Sequence, residues 1–91
     1  MEALAMIEAA ENILRDAGFR NVRVRHHRNL ARIELGAGEL PRLFEPGMRE
    51  FLSQSLKKIG YVYVSVDIVG YRQGSGNEVL ITQTTEGIGS K

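Results

Sequence analysis

The chain has 91 residues, 43% of them hydrophobic and 25% charged, which is one domain of ordinary globular composition rather than a disordered tract. Twelve Lys and Arg stand against eleven Asp and Glu, a net charge of +1 that gives nucleic acid no bulk electrostatic hold. The absence of cysteine excludes disulfides, a thiol nucleophile and thiolate metal sites from this chain. No apolar run reaches membrane-span length and no signal-peptide pattern opens the sequence, so a cytoplasmic setting without membrane contact is the expectation.

Residues 2–17 have the period of a helix. Ala3, Met6, Ile7, Ala10, Ile13, Leu14 and Ala17 form one apolar stripe, and Gly18 follows as a stop. Residues 20–35 alternate as a β-hairpin: Val22 and Val24 with Arg23 and Arg25, then Ala31, Ile33 and Leu35 with Arg32 and Glu34. A two-residue turn fits best at Arg28-Asn29, with Asn as the residue that tolerates positive φ. Gly36 to Gly38 is a loop, and Glu39 to Phe44 has room for a short helical turn.

Pro46 suits the first position of a second helix, whose stripe is Met48, Phe51, Leu52, Ser55, Leu56 and Ile59. Lys57 and Lys58 complement its C-terminal dipole, and Gly60 closes it. Residues 61–69 read as a strand, with Val62, Val64, Val66 and Ile68 on one side and Tyr61, Tyr63, Ser65, Asp67 and Val69 on the other. A loop spans Gly70 to Glu78, Val79 to Thr82 has the composition of a short edge strand, and residues 84–91 form a flexible tail. The order is α-β-β-α-β. The economical packing is an α+β domain over residues 1–83, with two helices on one face of a small, mostly antiparallel sheet. A chain this small buries only roughly 60–65% of its unfolded surface, so a large ligand site belongs on a face or at a junction with another domain.

The hairpin pattern implies a register. A turn at 28–29 sets His27 opposite Leu30, Arg25 opposite Arg32, Val24 opposite Ile33, Arg23 opposite Glu34 and Val22 opposite Leu35. Arg23 and Glu34 would make an ordinary cross-strand ion pair. Arg25 facing Arg32 is unfavourable by a few tenths to about 1 kcal/mol, because like charges stand directly opposite. Solvent, a carboxylate or a bound anion must relieve it. The polar face is therefore either a solvated surface or one that meets a second domain or an anionic ligand. Nine of the twelve basic residues are Arg, the type that binds phosphate and carboxylate through a fork of donors. His26 and His27 are adjacent and point to opposite faces, so they do not share a metal. His26 reads as structural, while His27 lies on the Arg face. The Gly70–Glu78 loop lacks the Gly-Lys-Ser/Thr ending and following helix of a nucleotide P-loop.

Five strings then acquire a common meaning: IEAAENILRDAGF at 7–19, VRVRHH at 22–27, LARIEL at 30–35, LKKIGYVYVSVDIVGYR at 56–72 and GSGNEVL at 74–80. Together, over residues 4–80, they resemble the C-terminal domain of the ATP-dependent sacrificial sulfur transferases. That family belongs to the PP-loop ATP pyrophosphatase superfamily and serves biosynthesis of the nickel-pincer nucleotide cofactor of lactate racemase. The resemblance implies that catalysis runs in an N-terminal domain, where an SGGxDS-type loop binds ATP with Mg and a linker Cys gives up its sulfur. Neither an SGGxDS sequence nor a Cys is present here.

The resemblance further implies that Glu11, Arg23 and Arg25 approach the sulfur-donor site and its anions; Arg32 joins them as a candidate anion ligand because the register sets it opposite Arg25. Arg72, Ser75, Asn77 and Glu78 match an interface loop, GYRQGSGNE here against GYRSGSMNE in the family, so a contact through the family's Met is lost. No catalytic residue, metal ligand or tightly held cofactor is expected of this chain alone. Its expected partners are a PP-loop catalytic domain, in cis or in trans, and further copies of the enzyme in a homo-oligomer. The chain is then a piece of a longer enzyme or a stand-alone relative. The contrasting expectation is a self-contained interaction or oligomerisation module without catalysis.

Overall fold

Helix α1 spans Ala3–Asp16 and buries Ala10 and Leu14 completely, with Met6, Ile7, Ile13 and Ala17 packed around them. These belong to the stripe seen in the sequence; only Ala3, at its open end, is exposed. The helix stops as a Schellman turn. Gly18, at φ 105°, sends its N–H to the Arg15 carbonyl at 3.0 Å, and Phe19 sends its N–H to the Leu14 carbonyl at 3.1 Å. Phe19 is thereby delivered into the core, 1% exposed. The Arg42 guanidinium donates to the Gly18 carbonyl and lies 5.4 Å from the centre of the Phe19 ring. The structure is a computed structural model describing residues 2–71.

Strands β1 (Val22–His27) and β2 (Leu30–Leu35) pair antiparallel in the register the sequence implies, Arg25 opposite Arg32 and Arg23 opposite Glu34 included. The turn residue with positive φ is Arg28, at 54°, not Asn29. Asn29 instead ties the hairpin tip to the third strand, because its carbonyl accepts the N–H groups of Val62 and Tyr63 at 2.8 and 3.1 Å.

A 3-10 turn at Leu40–Phe44 follows, as the sequence suggests, and then helix α2, Met48–Ile59. Pro46 is not its first residue. Gly47 intervenes at φ 81°, a left-handed conformation outside any right-handed turn, so the helix begins after it. Leu52 and Leu56 are buried, but Phe51 is 51% exposed and leaves the expected stripe. The helix ends like the first: Gly60 at φ 136°, its N–H on the Lys57 carbonyl, and the Tyr61 N–H on the Leu56 carbonyl.

Tyr61 is thus part of a helix stop rather than of a strand, and at 2% exposure it is core. Strand β3 is only Tyr63–Val66, shorter than the expected 61–69. It pairs with β2 in parallel, because α2 carries the chain back along the sheet before β3 begins. The sheet order is β1-β2-β3. Val64 and Val66 pack half-buried against the core, whereas Val62 and Ile68, expected on the same side, are 51% and 84% exposed. Val62 precedes the strand. Ile68 follows a break at Asp67, whose carboxylate accepts the Val69 N–H at 2.9 Å. The α+β architecture stands: α1 lies on β1, α2 on β3, and the two helices pack on each other over one sheet face.

Gly70 and Tyr71 close the described chain against β2. The Tyr71 N–H donates to the Leu35 carbonyl at 2.8 Å, and Gly70 before it holds φ 90°. A Cβ there would collide with the Leu35 backbone. Gly70→Ala is therefore expected to lower stability by about 1–2 kcal/mol, the cost of a left-handed non-glycine residue. Urea unfolding checks this, and an unchanged midpoint contradicts the close approach.

Candidate functional site

The exposed sheet face carries Arg23 and Arg25 of β1, Arg32 and Glu34 of β2 and Tyr63 and Ser65 of β3, since alternate residues of each strand share a side. The predicted Arg25–Arg32 conflict is resolved by a carboxylate of the chain itself. Glu34 accepts from Arg25 Nε at 3.1 Å through Oε1 and from Arg32 Nη2 at 3.1 Å through Oε2. Glu34 is 9% exposed because the two long Arg side chains lie across it. The ordinary Arg23–Glu34 pair expected from the register does not form. Both Glu34 oxygens are already engaged, and a diagonal partner and an i−2 neighbour win over the residue directly opposite. Arg32 Nε remains buried with no acceptor among the described residues.

Arg23 turns to the other end of the face, its guanidinium 5.2 Å from the centre of the Tyr71 ring. The hydrogen-bonded Tyr71 hydroxyl is the main cause that raises its pKa above the ordinary value, with Glu11 a smaller contributor. Glu11 lies between α1 and the edge of β1 that has no strand beside it among the described residues. One oxygen accepts the Val24 N–H at 3.0 Å and the other lies 3.6 Å from Arg15 Nη2. The carboxylate thus satisfies an outward-pointing donor of an edge strand, which also blunts that edge against pairing. A second carboxylate acts in the same way at the start of β1: Glu39 accepts the N–H groups of Arg20 and Asn21 at 2.6 and 2.8 Å. Nothing in the periodicity marks Glu39, which acts across a separation of 18 and 19 residues.

The four candidate residues therefore fall into two clusters. Arg25 and Arg32 share Glu34 at the middle of the sheet. Arg23 and Glu11 lie at its β1 margin with Arg15 and Tyr71. His26 is structural, as its inward position requires: its Nδ1 is 2.9 Å from the Tyr61 hydroxyl, and the rings meet edge to face at 5.3 Å. Burial pushes the Tyr61 phenol pKa up. Arg72, Ser75, Asn77 and Glu78, the strand expected at 79–82 and the tail at 84–91 lie outside the described residues. Among the described residues no helix is long and apolar enough to cross a membrane.

On the core side, the β3 margin opens into an apolar groove of about 380 Å³ lined by Ile33, Leu43, Phe44, Leu52, Val64 and Ile68 among others.

No family model matches the chain. It is 38% identical over 80 residues to an uncharacterised protein of Synechocystis sp., an overlap covering 88% of this chain and 30% of that protein. It is 36% identical over 77 residues to the pyridinium-3,5-bisthiocarboxylic acid mononucleotide synthase of Lactiplantibacillus plantarum, covering 85% of this chain and 27% of the synthase. The chain thus spans less than a third of the length of these curated relatives.

Proposed function

We propose that this chain is the accessory domain of an ATP-dependent sulfur transferase in nickel-pincer cofactor biosynthesis. In this reading it supplies Arg23 and Arg25, with Arg32 and Glu11 beside them, to a composite anion site with a PP-loop domain. The observation that carries the reading is the 36% identity that runs through 85% of this chain yet only 27% of a mononucleotide synthase. A basic, arginine-lined face on a small scaffold is the kind of wall such a site needs from a second domain. Mg and ATP belong, in this reading, to the remainder of the enzyme. The sequence has no SGGxDS loop, and among the described residues no three His, Asp or Glu side chains gather as a metal site. The chain alone would turn nothing over.

The test is a graft. This chain replaces its matching segment in the Lactiplantibacillus plantarum synthase, and formation of the mononucleotide product is followed. The graft is expected to retain activity, and an Arg23→Ala, Arg25→Ala double variant to lose about 10- to 100-fold, the worth of one to two charge-assisted contacts. A graft whose activity is indifferent to both arginines overturns the assignment.

One observation favours a second reading, an interaction module that assembles through its sheet. Among the described residues the four-residue strand β3 ends the sheet, with Phe44 and Ile68 exposed along the apolar groove. Sedimentation of the chain across a concentration series separates the two: a monomer at all concentrations removes this reading.

A further inference from the structure

Residues 18–21 join α1 to β1, and the 3-10 segment meets the backbone groups there that neither element satisfies. The Arg42 guanidinium donates to the Gly18 carbonyl. Glu39 accepts the N–H groups of Arg20 and Asn21 through separate oxygens at 2.6 and 2.8 Å. A cation thus meets the carbonyl and an anion meets the amides. Glu39 stands where a capping residue of its own 3-10 segment would, yet its side chain makes no cap bond there. Gly36 leaves room for the longer reach. A Cβ on Gly36 would stand 3.0 Å from Glu39 Oε2 and 2.6 Å from the Asn21 Cβ. The Gly36 N–H donates to the Asn21 carbonyl at 2.6 Å, and its carbonyl accepts the Glu39 N–H at 3.1 Å. Gly36 and Glu39 together form a clasp on the entry to β1.

Arg23 comes two residues after Asn21. Leu35 comes one residue before Gly36, and its carbonyl holds the Tyr71 N–H. The Arg23 guanidinium lies 5.2 Å from the centre of the Tyr71 ring, so the clasp fixes both halves of that contact from outside it. Strand pairing sets the register of β1 from Val22 onward, but not where its start lies relative to α1. Two carboxylates do that, Glu39 before Arg23 and Glu11 after it, on the Val24 N–H. Pinned on both sides, the backbone under Arg23 has one position.

We propose that Glu39 is a positioning residue for Arg23, aiming it at the anion of the composite site without touching that anion. The inference rests on the composite site proposed above. A free carboxylate near an anion site would repel the ligand. Here the charge is engaged by two N–H groups, and an arginine held in place loses less freedom when the ligand arrives.

The test has two arms. In the 91-residue chain, the Arg23 Nε–H signal is followed by NMR. Glu39→Gln is expected to remove the shift that the Tyr71 ring imposes on it, while the signals of Arg25 and Arg32, held by Glu34, stay in place. In the synthase graft, the substrate is the dicarboxylate mononucleotide, the oxygen counterpart of the product. There Glu39→Gln is expected to raise KM about 5- to 10-fold with kcat within about twofold, the loss of one oriented contact. Glu39→Asp keeps the charge on a shorter stem and should recover part of the loss; it also keeps the test readable should Glu39→Gln unfold. A purely structural lesion reads differently: Leu56→Ala reduces the folded fraction, so apparent kcat falls and KM holds. An unmoved Arg23 signal, or an unchanged KM in a graft that Arg23→Ala disables, overturns the positioning role and leaves the composite site standing. A graft indifferent to Arg23→Ala overturns the composite site, and the positioning role with it.

Discussion

Leu56→Ala is expected to remove about 2–5 kcal/mol of stability, the range for deleting a buried leucine side chain whose cavity only partly collapses. Leu56 is 0% exposed in a core assembled from both helices and the sheet. Its carbonyl also receives the Tyr61 N–H, so the residue sits where α2 ends and Tyr61 enters the core. A chain of this size has roughly 5–13 kcal/mol in all, at about 0.05–0.15 kcal/mol per residue, so the variant should be largely unfolded under mild denaturant. Phe51→Ala is the control. Phe51 belongs to the same apolar period of α2 but is 51% exposed, and its loss should cost under about 1 kcal/mol. Urea titrations of the two variants check both values. Comparable losses would mean that α2 turns a different face to the sheet.

Glu34→Ala is expected to cost about 2–3 kcal/mol. The carboxylate side chain is 11% exposed and makes two charge-assisted contacts at 3.1 Å, each worth roughly 1.5–3 kcal/mol when well shielded. Its partners are 48% and 38% exposed, so solvent screening reduces the sum. Removal also leaves Arg25 and Arg32 directly opposite with nothing between them. The loss should shrink as sodium chloride is raised, because the exposed arginine repulsion is screened within a Debye length. Phosphate should stabilise the variant more than the wild type, since the freed guanidinium pair then has an anion to accept. Unfolding at low and high salt, with and without phosphate, reads all three effects. A cost below about 0.5 kcal/mol at low salt would mean that Glu34 does not bridge the pair.

That bridge marks the boundary between what residue order conveys and what it does not. A stripe at period 3.6 has one inward face, and a strand at period 2 with one buried side has one register, since a one-residue slip would turn Val22, Val24, Ile33 and Leu35 to solvent. Both helices, the hairpin with every one of its pairings and the Arg25–Arg32 conflict are therefore legible in the sequence. Gly18 and Gly60 announce the helix stops for the same kind of reason, as only glycine takes those φ values without strain.

What folding alone decides is which neighbour each long polar side chain chooses. Glu34 has Arg23, Arg25 and Arg32 within reach, and spacing ranks Arg23 first; packing across the sheet gives it to the other two. Glu11 and Glu39 bind backbone N–H groups on β1 and just before it because α1 and the loop before the 3-10 turn come to lie against that strand, a proximity no local period encodes. The parallel pairing of β3 and its trimming to four residues follow from how α2 crosses the sheet and from the Gly60-Tyr61 stop, which draws Tyr61 inward ahead of the strand. Burial of one face constrains backbone pairing tightly, whereas a flexible carboxylate within reach of several donors is directed only by the three-dimensional arrangement of those donors.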